Sequence, residues 1–314
     1  MKKFLYILPL LLLLLNTRIS SAHPWGGLVI DQYGNIYFTF ICPFVDDHHY
    51  ACVWQIDNQQ KLKQVLESYH SPSDIILSRN PDRLIYGAER NNAPGGYQVR
   101  LWKINGRENE LIIKPTTDEE LFFIQAYAVA EDGMVYFARE NRLFQRNESG
   151  QVSEIELPQD IDRIDDLAWG LNNKLYILDR ESIKVMEEDG SVSVLATGLK
   201  EDDPENIPFS GANILFDFTV DENGNVYLAY YGNRRVLKVS SGGEVSVFLE
   251  SEAPWSPHGV DVFNGEVFVL ESTFGTSKWW EFWEDDVIIP RVRKVDVEGS
   301  VTTIFEHESV SEKK

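Results

Sequence analysis

An all-β fold of six four-stranded blades in a ring is what this chain predicts, on three observations. One unit of four short strands recurs six times along the 314 residues, its pieces alternate apolar and polar residues, and Gly/Asn turn signals fall at matching places in the copies. Alternation with period two marks a half-buried strand. Such a unit cannot bury both faces alone, so the copies stack, and repeats of roughly 40–50 residues stack as propellers or solenoids. The expected architecture is a six-bladed β-propeller of antiparallel blades with short, protected edges.

The clearest copy begins Asp217–Phe218–Thr219–Val220–Asp221, turns at Gly224–Asn225, continues through Val226–Tyr227–Leu228–Ala229 and closes with Arg235–Val239 and Val245–Leu249. Its second strand is the easiest to trace: Ile36–Phe38, Leu84–Tyr86, Val135–Phe137, Leu175–Ile177, Val226–Leu228 and Val267–Val269. Five of the six follow a Gly or Asn turn signal (Gly34–Asn35, Gly133, Asn172–Asn173, Gly224–Asn225, Asn264–Gly265), and the sixth follows Pro81–Asp82. Gly and Asn reach the positive φ of tight hairpins at low cost. The third strand recurs as Val53–Ile56, Val99–Trp102, Arg142–Phe144, Ile183–Val185, Val236–Lys238 and Val292–Val295, each with a fourth behind it, the last being Val301–Phe305. No stretch with helix-capping signals interrupts the series after the first two dozen residues.

Two segments, Pro257–His258–Gly259–Val260 and Asp221–Glu222–Asn223–Gly224–Asn225–Val226–Tyr227, carry a resemblance to a known repeat. The unit resembles the NHL-type repeat, and the layout is similar to that of the six-bladed gluconolactonase-like (senescence-marker) hydrolases and of the lyase that completes peptide amidation. The hydrolase resemblance implies one divalent ion at the channel mouth, held by a Glu, an Asn and Asp residues, that polarises a lactone carbonyl. Asp165 falls at the Asn position, the Glu has no counterpart in His23–Pro24–Trp25–Gly26–Gly27, and Phe216–Asp217 replaces an Asp-Gly pair. The lyase resemblance implies zinc on three His. Pro257–His258–Gly259 and His23 before Trp25 match two of them, and Gln125–Ala126 stands at the third.

Residues 1–22 read as a signal peptide: Lys2–Lys3, an apolar run from Phe4 to Leu15, and Ser20–Ser21–Ala22 at a cleavage point. The apolar run is shorter than the roughly 20 residues a spanning helix needs, so a secreted or periplasmic protein without a membrane span is expected. Residues 23–305 then form the propeller, with no length left for a second domain, and 306–314 a polar, loose tail. The formal charge of −21 becomes −24 once Lys2, Lys3 and Arg18 are removed. A field of that sign repels nucleic acid and favours cations and solubility, and the expected state is a monomer. Cys42 and Cys52 are the two cysteines. An oxidising compartment makes them a disulfide across the blade 1 hairpin. The alternatives are free thiols, or a metal site with His48 and His49 whose spacing matches no familiar zinc pattern.

The first and second strands of a blade form a hairpin, so the start of one and the end of the other share a face. On that face the loops between second and third strands are expected to be long in blades 1 (Ile41–Ala51), 2 (Arg90–Gly96) and 6 (Ser272–Pro290), building one wall over the channel. Second-strand ends carry Glu89, Asp179 and Glu271, candidate ligand-binding carboxylates; first-strand starts carry His23, Asp74, Asp165, Asp166, Asp217 and His258. That second set is the candidate ligand group for calcium or another divalent cation, against the alternative that strand-end Asp caps turns. The blade 6 loop holds Trp279, Trp280 and Trp283, a density of indoles that suits stacking on a sugar, cation or peptide side chain, or cover for the seam. The expected function is therefore ligand binding (small molecule, sugar or peptide) at an acidic, aromatic-walled channel face. The alternative is a divalent-metal-dependent lactone or ester hydrolase, or a zinc lyase.

Overall fold

The computed structural model describes residues 27–41, 51–68, 73–93, 96–117, 126–158, 160–170, 173–200, 214–273 and 289–307. They form six four-stranded antiparallel sheets, each made of four consecutive strands, the six-bladed propeller that the repeats predict. The inner strands are Leu28–Ile30, Ser73–Arg79, Tyr127–Val129, Ile164–Trp169, Leu215–Val220 and Trp255–Phe263. The second strands are Ile36–Ile41, Ile85–Ala93, Val135–Arg139, Leu175–Asp179, Val226–Tyr230 and Glu266–Thr273. We call the end of the channel where inner strands begin the upper mouth, and the other the lower mouth.

Local chemistry fixes the hairpins. Asp31 Oδ1 accepts the backbone N–H groups of Tyr33 (2.8 Å) and Asn35 (2.9 Å), and Asp221 Oδ1 does the same for Asn223 (2.8 Å) and Asn225 (2.9 Å). Gly34 and Gly224 take the positive φ, 82° and 76°, that such a turn requires. The Asp that ends these inner strands is thus a turn cap, at the lower mouth.

The apolar core is divided into layers between blades. One holds Leu178 and Ile183 of blade 4 against Val226, Leu228 and Tyr230 of blade 5. Another, at the seam, holds Leu28, Ile30 and Phe38 of blade 1 against Phe268, Leu270 and Val292 of blade 6. Burying a side chain of this size contributes roughly 1.5–3 kcal/mol. Among the described residues no strand is exchanged between first and last blades, so this layer and polar contacts near the axis close the ring. The approach there is tight: a Cβ on Gly259 would lie 2.8 Å from Leu28 N and 2.9 Å from Gly27 C.

One expected loop is corrected. In blade 2 the second strand continues to Ala93 and the third begins at Gly96, with Asn91 opposite Gln98 and Asn92 opposite Tyr97. Residues 90–93 and 96–99 therefore prolong the ladder of this hairpin. Its Asn, Pro and Gly content suggests a loop, but the backbone ladder overrides propensity. The connections 42–50 and 274–288 lie outside the described residues; Ile41 and Ala51, which bracket the first, are cross-strand partners.

An inner strand pairs on one edge only, which leaves N–H groups facing the channel in need of acceptors. Three carboxylates supply them from neighbouring blades. Asp217 Oδ2 accepts from Val260 N (2.9 Å) and Leu28 N (3.5 Å), and Asp261 Oδ2 from Ile30 N (2.8 Å). Asp166 receives the backbone N–H of Phe218.

Near the lower mouth Arg79, the last residue of the blade 2 inner strand, crosses the channel. Its Nε donates to both carboxylate oxygens of Asp261 (2.9 and 3.0 Å) and its Nη2 to Thr219 Oγ1 (3.0 Å). The side chains of Arg79 and Asp261 are 8% and 1% exposed. Arg83 follows, donating to the carbonyls of Ile30 (3.2 Å) and Val262 and lying over the Phe263 ring. Two arginines of blade 2 thereby tie blades 1, 5 and 6 together across the axis.

Candidate functional site

Register places the expected groups at one end. Glu89 stands opposite Ile75, Asp179 opposite Ile164 and Glu271 opposite Pro257, all near inner-strand starts, and His258 is the bulged residue after Pro257. The upper mouth is thus the face predicted to gather them.

The three second-strand carboxylates are buried and fully bonded. Glu89 Oε1 accepts from Ser68 Oγ (2.7 Å) and Asn91 Nδ2 (2.9 Å) with Arg100 at 3.7 Å, and its Oε2 from Trp102 Nε1 (2.8 Å). Asp179 caps the backbone N–H groups of Asp162 (3.1 Å) and Arg163 (2.8 Å) and pairs with Lys184 (3.0 Å). Glu271 accepts from Arg291 Nε (2.5 Å), Arg293 Nη2 and Ser251 Oγ. The pattern repeats in blades 2, 4 and 6. A carboxylate at the end of the second strand meets a cation on the third and a donor from the connector arriving from the preceding blade. These groups anchor connectors in geometry that satisfies each charge.

The other expected residues separate. Asp165 forms a two-pronged pair with Arg163 (2.6 and 3.0 Å). Asp74 stands opposite Arg90 on the blade 2 hairpin. His23, Trp279, Trp280, Trp283 and Cys42 lie outside the described residues, whereas Cys52 is fully buried on the third strand of blade 1, opposite Phe40.

Asp166 and Asp217 remain together on the axis, on adjacent inner strands. With Leu28, Asp261, Thr219 and Arg79 they line a cavity of about 30 Å³, the volume of about one water molecule in the liquid. Both are half-buried and keep an open side to the channel. Burial raises the Asp217 carboxyl to about 7, against the hydrogen bonds from Val260 and Leu28 that lower it. Burial first, and the Asp217 charge second, hold Asp166 well above the ordinary carboxylate value. At neutral pH the pair therefore carries less than two full negative charges. Among the described residues no three His, Cys, Asp or Glu side chains gather as a metal-holding group; His23 of the expected donor set lies outside them.

His258 is an unsatisfied group of the upper mouth with both of its polar atoms unpartnered. It is 3% exposed, and neither ring nitrogen has a hydrogen-bond partner among the described residues. Burial lowers its pKa to about 4, so the ring is neutral at physiological pH. The bulge at Pro257/Gly259 gives the imidazole an orientation that regular alternation would not. A buried polar group left without a partner is costly, and such groups mark places where something else completes the bonding.

Sequence reasoning missed Arg79, Thr219 and Asp261. Asp261 reads as one more polar residue in an alternating strand, and its partner is 182 residues away. The signal that could have found it is an Arg at an inner-strand end, where the other copies carry Ile30, Val129 and Val220.

No protein-family model and no curated protein matches the sequence. Solved structures do. A streptogramin B lyase matches with TM-score 0.53 and 14% identity, over 93% of this chain and 85% of its own. A puromycin hydrolase matches with TM-score 0.52 and 11% identity, over 91% of this chain and 54% of its own. A putative gluconolactonase matches with TM-score 0.49 and 12% identity, over 78% and 84%. At these identities the likeness is one of fold, the β-propeller that this chain shares with the lyase and the hydrolase.

Proposed function

We propose that this protein binds a small-molecule, sugar or peptide ligand over the upper mouth of its channel, with His258 as the group the ligand completes. The observation that carries this is the imidazole itself, buried and neutral, with both nitrogens unpartnered at the face where the blade 1 and blade 6 connections open. Trp279, Trp280 and Trp283, in the connection 274–288 of blade 6, are proposed as stacking partners of the same ligand. A second reading, hydrolysis or elimination on that ligand, is favoured because two fold neighbours are named as a lyase and a hydrolase, and because a neutral imidazole can accept a proton. A divalent cation, calcium first, is part of this second reading, with Asp166 and Asp217 the carboxylates that share the axis. The chain is further proposed to be exported to the periplasm or beyond as a monomer, with Cys42 joined to Cys52.

The test uses purified mature protein, metal-stripped or calcium-loaded, with gluconolactone and aryl esters as probes. Turnover or binding that is lost in His258→Asn and in the triple Trp279/Trp280/Trp283→Ala variant, with melting at pH 7 within about 2 °C of wild type, supports the reading. Activity indifferent to His258 refutes it. Metal analysis of the same sample decides the cation, and non-reducing peptide mapping decides the disulfide.

A further inference from the structure

We propose that the cleft between blades 1 and 2 at the lower mouth is a binding site for a small sugar acid, separate from the upper mouth. The hairpin turns of the two blades frame a cavity of about 590 Å³, inside the range of roughly 300–1,000 Å³ typical of small-molecule sites.

Its charge runs against the rest of the protein. Lys63, Arg83, Lys103 and Arg107 line it beside Asp31 and Asp57, in a chain with 29 basic and 50 acidic residues. Both carboxylates are already engaged by their own turns: Asp57 Oδ1 accepts from Gln59 N and Lys61 N at 2.9 Å, as Asp31 does in its own hairpin. Arg83 is held by the carbonyls of Ile30 and Val262. Lys63 donates only to the carbonyl of Gly106 (2.9 Å), and among the described residues neither Lys103 nor Arg107 has an ion-pair partner. Three cations without an ion-pair partner among the described residues thus face one cleft whose lining holds four basic side chains against two acidic ones, a field that attracts an anion and gives it charge-assisted hydrogen bonds.

The remaining lining selects the body of that anion. The Gln55 amide, 4% exposed, donates to the Tyr37 hydroxyl at 2.5 Å and forms a polar floor suited to hydroxyl groups. Tyr33 stands at the rim, 71% exposed, offering an aromatic face of the kind that packs on the apolar side of a sugar ring. Carboxylate on the cations, ring on Tyr33 and hydroxyls on the floor describe a uronate. No residue of this site belongs to the upper mouth, so its failure and that of the reading above are separable.

The experiment is calorimetric titration of the full mature chain with glucuronate, glucose and acetate at low salt. Glucuronate should bind, and glucose and acetate should bind at least tenfold more weakly. In Lys103→Glu/Arg107→Glu the glucuronate affinity should fall by about tenfold or more, since each lost charge-assisted hydrogen bond is worth about a factor of ten. Tyr33→Ala, which leaves every charge in place, should weaken glucuronate and leave acetate unchanged. Failure of glucuronate to bind, acetate binding as tightly as glucuronate, or a charge-reversed variant that binds like wild type overturns the proposal.

Discussion

Replacing Asp261 by Ala tests whether the cross-channel contact holds the ring closed. The substitution removes the acceptor of Arg79 Nε and of the backbone N–H groups of Ile30 and Val262, and leaves Thr219 without its 2.8 Å acceptor. Arg79 is then an uncompensated guanidinium with 8% exposure. Removing one partner of a buried pair costs about 3–5 kcal/mol. For a domain of this size each kcal/mol lowers the melting temperature by roughly 2–4 °C, so a fall of the order of 10 °C is expected, with a matching loss in urea midpoint. Arg79→Met in the Asp261→Ala background removes the stranded charge. The double variant should melt above the single one, with a coupling energy of about 1–3 kcal/mol. An Asp261→Ala protein melting within about 2 °C of wild type, or two single changes that simply add, would refute the idea that this pair links blade 2 to blade 6.

Two further outcomes follow from the same geometry. Gly259→Ala, whose new Cβ would press on backbone of Gly27 and Leu28 at under 3 Å, should destabilise by about 1–3 kcal/mol. Gly242→Ala, which meets only Ser240 Oγ at 3.7 Å, should be neutral, and equal melting of the two would show the seam to be slack. The response to acid should separate two groups of opposite sign. The His258 pKa, lowered from 6.5 to about 4, makes the unfolded chain bind more protons between those values, so about 3 kcal/mol of stability is lost as pH falls from 6.5 to 4. Asp217, raised to about 7, makes the folded protein bind more, and adds stability over the fall from pH 7 to 4. Denaturation midpoints measured from pH 7 to 4 should drop more steeply in Asp217→Asn than in wild type and less steeply in His258→Phe. The reverse order would contradict the burial assigned to both.

What the sequence shows plainly is whatever repeats. The second strands were legible because Gly34–Asn35 and Gly224–Asn225 announce the turn and alternation announces the strand; the structure adds that Asp31 and Asp221 cap those turns. The positions of Glu89, Asp179 and Glu271 and their common face were also legible. Their occupation was not, because the cations that hold them sit on third strands and the donors Ser68 and Ser251 come from connectors, places where polar residues look like ordinary surface. Blade 2 shows the limit of composition, since Asn91 and Asn92 suggest a loop and form a ladder. The closure contact between Arg79 and Asp261 is invisible to any local reading, because it exists only once the ring brings distant blades together.

The contiguity of every blade also dictates an order in time. Blades can form one after another as the chain is synthesised, each from its own local hairpins. The contacts that finish the molecule wait for its last fifth: Asp261 reaches Ile30 and Arg79, and Leu270 reaches Leu28, only after blade 6 exists. Until then an arc of five blades presents apolar faces at both ends, one of them made by the residues synthesised first. With no strand shared between first and last blades among the described residues, closure is a docking event between two preformed surfaces. Its rate is set by the encounter of distant parts of the chain, and the open arc is the species most exposed to sticking to a second copy of itself.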